Sequence, residues 1–311
     1  LLLRSQTFCS SSRFTFARVS VIHSGIRMKG AQVGDVGEIA AGPVHFMKAV
    51  SVAQKTVQTK GGRSQGSMGI LNVDHPDIQS FIRAKDKEGE FDNMNISVGA
   101  TDKFMEALKA DSTYDMVDPG NGAVVRSPKA SEVFDEIAEH AWISGDPGVI
   151  FVDRLERDNP TPSLGKLDAT NPCGEQPLMP YETCNLGSIV LSRFVKRDES
   201  GEVAIDWDRL KEVTYYAVRF LDNTIDVNNF PLAKVEQMSR GTRRIGLGVM
   251  GFADLLVKLG IPYNTQEAVD LAEQVMEFIN IEAHKATEAL GEEKGSFPYF
   301  DISVWPGKGV K

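Results

Sequence analysis

The sequence predicts an α/β fold whose strands are buried on both faces. Short apolar runs recur along the chain and alternate with segments whose apolar residues fall at helical spacing. Glycine and proline punctuate the joints between them, as turns and helix ends require.

Residues 1–30 are irregular and basic (Arg4, Arg13, Arg18, Arg27, Lys29), and a glycine-punctuated loop covers 29–42. The stretch 44–60 sets Phe46, Met47, Val50, Ala53 and Val57 on one helical face, with Gly61 and Gly62 as its stop. Residues 68–73 form a short apolar strand, and Asp74-His75-Pro76 opens a helix with proline near its first turn. A second strand spans 95–98. Residues 131–144 are helical, with Ser131 as N-cap and Gly145 as terminator. A strand over 149–152 leads into a long polar loop containing Asn159, Pro160 and Pro162. A strand over 187–194 precedes a long helix over 207–225, marked by Leu210, Val213, Ala217, Phe220 and Leu221. Further helices are expected over 248–259 and over 266–290, the latter capped by Thr265 and ended by Gly291.

The chain has 311 residues, 41 % hydrophobic and 25 % charged, which is an ordinary globular balance and excludes wholesale disorder. No apolar run approaches the roughly 20 residues of a membrane span. A net charge of -9 disfavours a general nucleic-acid surface, so an anionic ligand would need local devices such as glycine loops and helix N-termini. Cys9, Cys173 and Cys184 are the only cysteines, too few for a disulfide scaffold or a four-thiolate metal site. Few cysteines and no signal peptide point to the reducing cytosol, hence a cytoplasmic protein. The sequence starts without Met and stops just after an aromatic, proline-containing loop, so an internal fragment of a longer polypeptide is expected.

Several motifs are decoys. Gly246-Leu247-Gly248-Val249-Met250-Gly251 fits the dinucleotide fingerprint, yet Ser239–Arg244 upstream makes a poor buried strand. Glycines that permit close helix packing are the simpler reading. His23, His45, His75, His140 and His284 show no paired spacing for zinc, and no metal site is expected. His75, beside Pro76 and Asp77, helps open a helix. Asn95-Ile96-Ser97 fits the glycosylation pattern, which carries no information in a cytosolic chain.

The chemistry-bearing stretch is Asn171-Pro172-Cys173-Gly174-Glu175-Gln176-Pro177-Leu178, followed closely by Cys184-Asn185-Leu186-Gly187-Ser188-Ile189. Its prolines and glycine exclude helix interior and central strand, so Cys173 sits on a rigid, tightly turned loop. If the backbone there is extended, residues 171, 173 and 175 share a face and bring amide, thiol and carboxylate together. One reading is a buried structural cysteine with a loop-capping Asn and a solvated Glu. The other is chemical. A carboxylate neighbour disfavours the thiolate, so the thiol is poorly placed as a nucleophile and better suited to hydrogen-atom exchange. The carboxylate then serves as general base toward a hydroxyl, and the amide holds a second hydroxyl. Cys184 could supply reducing electrons by pairing with another thiol.

This stretch resembles the active-site finger loop of ribonucleotide reductase large subunits, particularly the adenosylcobalamin-dependent class II enzymes. Gly42-Pro43-Val44-His45-Phe46-Met47, Met68-Gly69-Ile70-Leu71-Asn72-Val73-Asp74-His75-Pro76-Asp77-Ile78 and Asn93-Met94-Asn95-Ile96-Ser97-Val98 are similar to the same family. So are Gly145-Asp146-Pro147-Gly148 with Phe151, Asp226-Val227-Asn228-Asn229-Phe230-Pro231, and Arg243-Arg244-Ile245-Gly246-Leu247-Gly248-Val249-Met250-Gly251-Phe252. The likeness covers residues 13–311 in the family's order; residues 1–12 and 20–34 match poorly.

The resemblance implies a ten-stranded α/β barrel, here truncated at both ends, with a finger loop at about 170–186 threaded through its middle. It implies that Cys173 becomes the thiyl radical that takes the ribose 3′ hydrogen. Glu175 would be the base for the 3′ hydroxyl, Asn171 would hydrogen-bond the ribose, and Cys184 would be half of a disulfide-forming pair. The partner of Cys184 belongs well upstream of Phe14, so Cys9 is a poor candidate. Gly61, Gly62, Arg63, Ser64, Gln65, Gly66 and Ser67 occupy the loop that links effector identity to base choice, within an allosteric segment at about 61–68. Family members commonly carry further arginine where Ser64 and Gln65 stand, which weakens any phosphate or base contact there. Residues 29–41 resemble the other allosteric loop.

The implied ligands are a ribonucleoside di- or triphosphate, adenosylcobalamin (a cobalt corrinoid) and a dNTP or ATP effector. The implied partners are an external thiol reductant such as thioredoxin and a second copy of the chain in a homodimer. Rival expectations are a diiron-dependent class I large subunit, a truncated barrel that only binds nucleotide effectors, and a Cys–His hydrolase. The family's Thr-rich phosphate-binding segment and terminal shuttle cysteines fall outside this sequence.

Overall fold

Parallel strand pairing organises the chain, as buried apolar runs require. The computed structural model describes residues 4–7, 17–22, 24–33, 37–56, 66–167, 169–197, 201, 203–230 and 232–308. The chain divides into two units, residues 1–183 and 184–311.

In the first unit the elements run β1 (Arg4–Thr7), β2 (Ala17–Ile22), β3 (Gln32–Val33), β4 (Glu38–Ile39), α1 (Pro43–Thr56), β5 (Ser67–Asn72) and α2 (Ile78–Ile82). Then come β6 (Met94–Ala100), α3 (Asp102–Lys109), β7 (Met116–Val117), β8 (Val124–Arg126), α4 (Ala130–Ser144), β9 (Gly148–Phe151) and α5 (Val152–Arg157), with β10 (Ala169–Thr170) and β11 (Pro177–Leu178) last. A five-stranded sheet has the order β1-β2-β5-β6-β9; β1 runs antiparallel to β2 and the other pairs are parallel. Residues Ser67–Leu71 are all buried, which is why this segment reads as a continuous apolar run rather than an alternating one. One face of the sheet, carrying Leu71, Ile96 and Val98, packs with Met47 of α1, Phe81 of α2, Phe104 of α3 and Val133 of α4. The opposite side carries Met68, Ile70 and Ile150, and it receives Ala169 of β10.

His75 is buried, and its Nδ1 accepts from the Asp77 N–H at 3.0 Å, so it does help open α2; its Nε2 lies 2.9 Å from the Ile26 carbonyl. The helix expected from Ser131 starts at Ala130, after an extended Lys129, and the Ser131 hydroxyl donates to Asp111 rather than capping. Gly145 ends that helix in the left-handed region, φ 81°. Val152, expected to end a strand, and residues 153–157, expected as loop, form α5; six residues show too little periodicity to be read, although Asp153 at its start and Arg157 at its end suit the helix dipole.

The second unit contains β12 (Leu186–Val190), β13 (Val195–Arg197), β14 (Val203–Ile205), α6 (Trp207–Val227), α7 (Ala233–Thr242), β15 (Gly246–Met250), α8 (Phe252–Leu259) and α9 (Gln266–Lys294). Strands β12 and β15 pair in parallel, Leu186 opposite Gly246 through Val190 opposite Met250. The expected helix over 248–259 is therefore a strand followed by a helix, with Gly251 at φ 69° between them. Leu247 and Val249 alternate with glycines and pack toward the core of Ile189, Leu210 and Leu255. Gly246 and Gly248 of the fingerprint thus lie within the strand and are not helix-packing glycines, while Gly251 makes the junction to α8. Thr265 caps α9 by accepting from Ala268 N–H at 3.3 Å. The helix passes through Gly291 and ends at Gly295, because Glu293 and Lys294 in its last turn bind Arg219 and Asp222 of α6. Such ties outweigh the roughly 1 kcal/mol cost of an internal glycine.

The α/β class holds. Among the described residues no closed barrel is present: the strands form one five-stranded sheet and separate two-stranded ones. No helix of the described residues is long and apolar enough to cross a membrane.

Candidate functional site

The stretch around Cys173 is the tip of a hairpin. Strands β10 and β11 pair antiparallel, Ala169 opposite Leu178 and Thr170 opposite Pro177, so only residues 171–176 remain to reverse the chain. Gly174 N–H donates to the Asn171 carbonyl at 3.0 Å, closing a four-residue turn with Pro172 and Cys173 at its centre. Proline suits the first central position of such a turn because its φ is already set. Gly174, next along, has φ 86°, a conformation that side-chain-bearing residues rarely adopt. Asn171 N–H donates to the Gln176 carbonyl at 3.2 Å, and Asn171 Oδ1 accepts from Gln176 N–H at 3.0 Å.

This geometry corrects the expectation of an extended backbone with residues 171, 173 and 175 on one face. A tight turn abolishes the two-residue side-chain period. Asn171 is 1 % exposed and caps the loop from inside, whereas Cys173 and Glu175 stand exposed at its tip. Thiol and carboxylate thus share the tip, while the amide lies at its base; its Oδ1 is occupied, so its NH₂ is what it can offer a hydroxyl. Of the structural reading, the capping Asn and the solvated Glu are found, but the cysteine is not buried.

Two further residues hold the hairpin, and neither was expected to. Asn95 of β6 donates from Nδ2 to the Pro172 carbonyl at 2.6 Å. Glu182, 1 % exposed, accepts from Met179 N–H at 2.9 Å through Oε2, while its own N–H donates to the Met179 carbonyl at 3.2 Å. That double clasp tightens the turn after β11, in which Tyr181 takes φ 63°. Neither residue advertises itself: each bonds to backbone, which leaves no pattern of residue types in the sequence.

Cys184 is buried, at the start of the second unit. Cys9 lies outside the described residues, as do Gly61, Gly62, Arg63, Ser64 and Gln65. Gly66 is half-buried, and Ser67 is the first residue of β5, fully buried, its hydroxyl donating to Gln54 at 2.5 Å. Within the segment 29–41, β3 and β4 pair antiparallel, Gln32 opposite Ile39 and Val33 opposite Glu38. Lys29 N–H anchors it to Asp77 Oδ2 at 2.7 Å. A shallow cleft of about 310 Å³ beside α1, lined by His45, Lys48, Arg83 and Glu90 among others, includes none of the expected site residues. Among the described residues no three His, Cys, Asp or Glu side chains are grouped to hold a metal ion.

Comparison with known proteins agrees with the motif reading. The family described as "Ribonucleotide reductase, barrel domain" matches residues 19–309. The chain is 48 % identical to a vitamin B12-dependent ribonucleoside-diphosphate reductase of Thermoplasma acidophilum, over 93 % of this chain and 37 % of that protein. It is 45 % identical to a protein of the same name in Mycobacterium tuberculosis, over 93 % of this chain and 41 % of that one. A ribonucleoside-diphosphate reductase subunit alpha of Chlamydia trachomatis is 28 % identical, over 91 % of this chain and 30 % of its own length. The chain therefore spans about two fifths or less of the length of these relatives.

Proposed function

Because this chain belongs to the ribonucleotide reductase barrel-domain family, we propose that it is the part of a ribonucleotide reductase that carries the reacting thiol, Cys173. The observation that carries this reading is the exposed tip of the β10–β11 hairpin, where Cys173 and Glu175 stand two residues apart on a turn braced from within by Asn171.

In this reading Cys173, as a thiyl radical, takes the 3′ hydrogen of the ribose and later returns it. Glu175 accepts the proton of the 3′ hydroxyl as general base. The Asn171 NH₂ donates to a ribose hydroxyl. The 2′ hydroxyl is replaced by hydrogen and its oxygen leaves as water. The two electrons and two protons this needs come from two thiols, which close to a disulfide; Cys184 is one of them. An external dithiol, of the thioredoxin kind, then reduces that disulfide.

The exposed thiol of Cys173 fits a radical-generating group that has to reach the hairpin from outside. Adenosylcobalamin supplies that radical when bound, and the names of the Thermoplasma and Mycobacterium relatives support it over a diiron partner subunit. Those names also favour a ribonucleoside diphosphate as substrate. The ten-stranded barrel with the hairpin threaded through it, the effector loops at 29–41 and 61–68, a homodimer and a cytoplasmic location belong to the same proposal. Parallel strands joined by helices in each unit support the barrel.

The test is turnover by the complete gene product with adenosylcobalamin and no second subunit. Cys173→Ala should abolish it, and activity surviving that substitution would remove the basis of the reading. A requirement for a second subunit would instead move the protein to the diiron class.

A further inference from the structure

The hydrogen bonds inside the 171–176 loop give it a shape but no position. Gly174 to Asn171, Gln176 to Asn171 and Asn171 to Gln176 all close within the loop. At the stem, Ala169 packs against Met68 and Ile70, an apolar contact without directional preference. Among the described residues, one bond ties the turn itself to the sheet: Asn95 Nδ2 to the Pro172 carbonyl, 2.6 Å, between residues 77 apart in sequence.

We propose that Asn95 is a positioning residue for Cys173, its side-chain amide setting where the turn stands over the sheet. The proposal rests on the reading of Cys173 as the reacting thiol. The accepting carbonyl belongs to the peptide unit that joins Pro172 to Cys173, so the bond acts on the plane that contains the Cys173 nitrogen. Proline has no N–H, and this carbonyl is its sole polar backbone group. At 2.6 Å from a carbonyl oxygen, Asn95 must present nitrogen, since two oxygens would repel. Its own strand is firmly held: β6 pairs in parallel with β5 on one side and β9 on the other. Met94, Ile96 and Val98 of β6 point into the helix-covered core, so Asn95 stands on the opposite face by the alternation of the strand. The Asn95-Ile96-Ser97 triplet thus has a structural use unrelated to glycosylation.

Radical transfer and hydrogen abstraction depend on the sulfur's placement, and about 1 Å of misplacement can cost on the order of a hundredfold in rate. Binding contacts tolerate such a shift better than the reaction does, so the loss falls mainly on kcat. The experiment compares Asn95→Asp, which keeps the shape but cannot donate when ionised, with Asn95→Ala and Asn95→Gln, which restores a donor. In the complete gene product kcat should fall about 10- to 100-fold for Asp and Ala with KM within about twofold, and Gln should recover part of the loss. In parallel, amide exchange over 171–176 should quicken in Asp and Ala while β5 and β6 keep their protection. Unchanged kcat and unchanged exchange, beside a dead Cys173→Ala, would overturn the role of Asn95 and leave the reading of Cys173 standing. Exchange that quickens evenly across β5 and β6 would overturn it too, as the mark of a general sheet contact. Turnover persisting in Cys173→Ala would overturn both.

Discussion

Arg243 donates from Nε to the Asp222 carboxylate at 2.7 Å, and its terminal nitrogens reach Asp226, one helical turn further along α6, at 2.7 and 3.0 Å. Arg243 closes α7 with φ 45°, a position where glycine is usual, so its side-chain bonds hold a backbone conformation that arginine disfavours. Lys294 of α9 adds a bond to Asp222 at 2.7 Å. Burial pushes the Asp222 carboxyl up, but hydrogen bonds from Arg243 and Lys294 more than offset this and hold it below the usual 3.8. The Arg243 hydrogen bond likewise holds Asp226 low. A depressed carboxyl contributes stability above its unfolded pKa and loses it as pH falls through the folded value. Arg243→Gln should therefore cost about 2 kcal/mol at pH 7, discounted for the half-exposed Asp226. That deficit should shrink as pH drops below 3.8. Urea unfolding at several pH values measures it; a deficit that stays constant down to strong acid would refute the account.

Gly241 sits on α7 where the ring of Tyr299 occupies the space a side chain would need, and Tyr299 N–H donates to its carbonyl at 3.1 Å. Gly241→Ala should destabilise the second unit by about 1–3 kcal/mol through overpacking. In a Tyr299→Ala background the same change should cost under about 0.5 kcal/mol, since the clash has gone. Equal costs in the two backgrounds, read from thermal unfolding, would show that the ring is not the cause.

What the sequence made legible is local. The run Met68–Leu71 announces a strand because it is covered on both faces, and Thr265 announces a helix because its hydroxyl caps the first turn. Cys173 is legible as a rigid turn because Pro172 and Gly174 bracket it. The misreadings share one cause, that distant partners decide. Gly291 stays helical because Lys294 reaches α6, and Gly246–Met250 is a strand because β12 lies alongside. Asn171 turns inward because strands of two residues each leave the loop no length in which to extend. Asn95 is invisible beforehand because its partner is a backbone carbonyl far along the chain.

The two described cysteines differ in access, and this makes a direct check on the site. Cys173 is exposed and Cys184 buried. A buried thiol reacts only through local opening, and an opening free energy of about 3 kcal/mol slows it roughly a hundredfold. Iodoacetamide at pH 8, followed by peptide mass mapping, should label Cys173 in the native protein and Cys184 about a hundred times more slowly, the two rates converging in denaturant. Equal native rates would place the Cys173 hairpin in the wrong environment.

Gly174 offers a test of the turn in which crowding plays no part. A Cβ added there would meet nothing within 4 Å, so any cost of substitution is the cost of φ 86° alone. L-residues resist that region by about 1–2 kcal/mol, and asparagine resists it least among them. β-Branched residues resist it most. Stability should therefore fall in the order Gly, Asn, Ala, Val. Since Gly174 N–H also closes the turn onto Asn171, turnover in the complete gene product should fall in the same order as the Cys173 sulfur loses its fixed place. Alanine matching glycine in both thermal unfolding and turnover would mean that the left-handed conformation is not what holds the thiol, and the hairpin account of the site would fail with it.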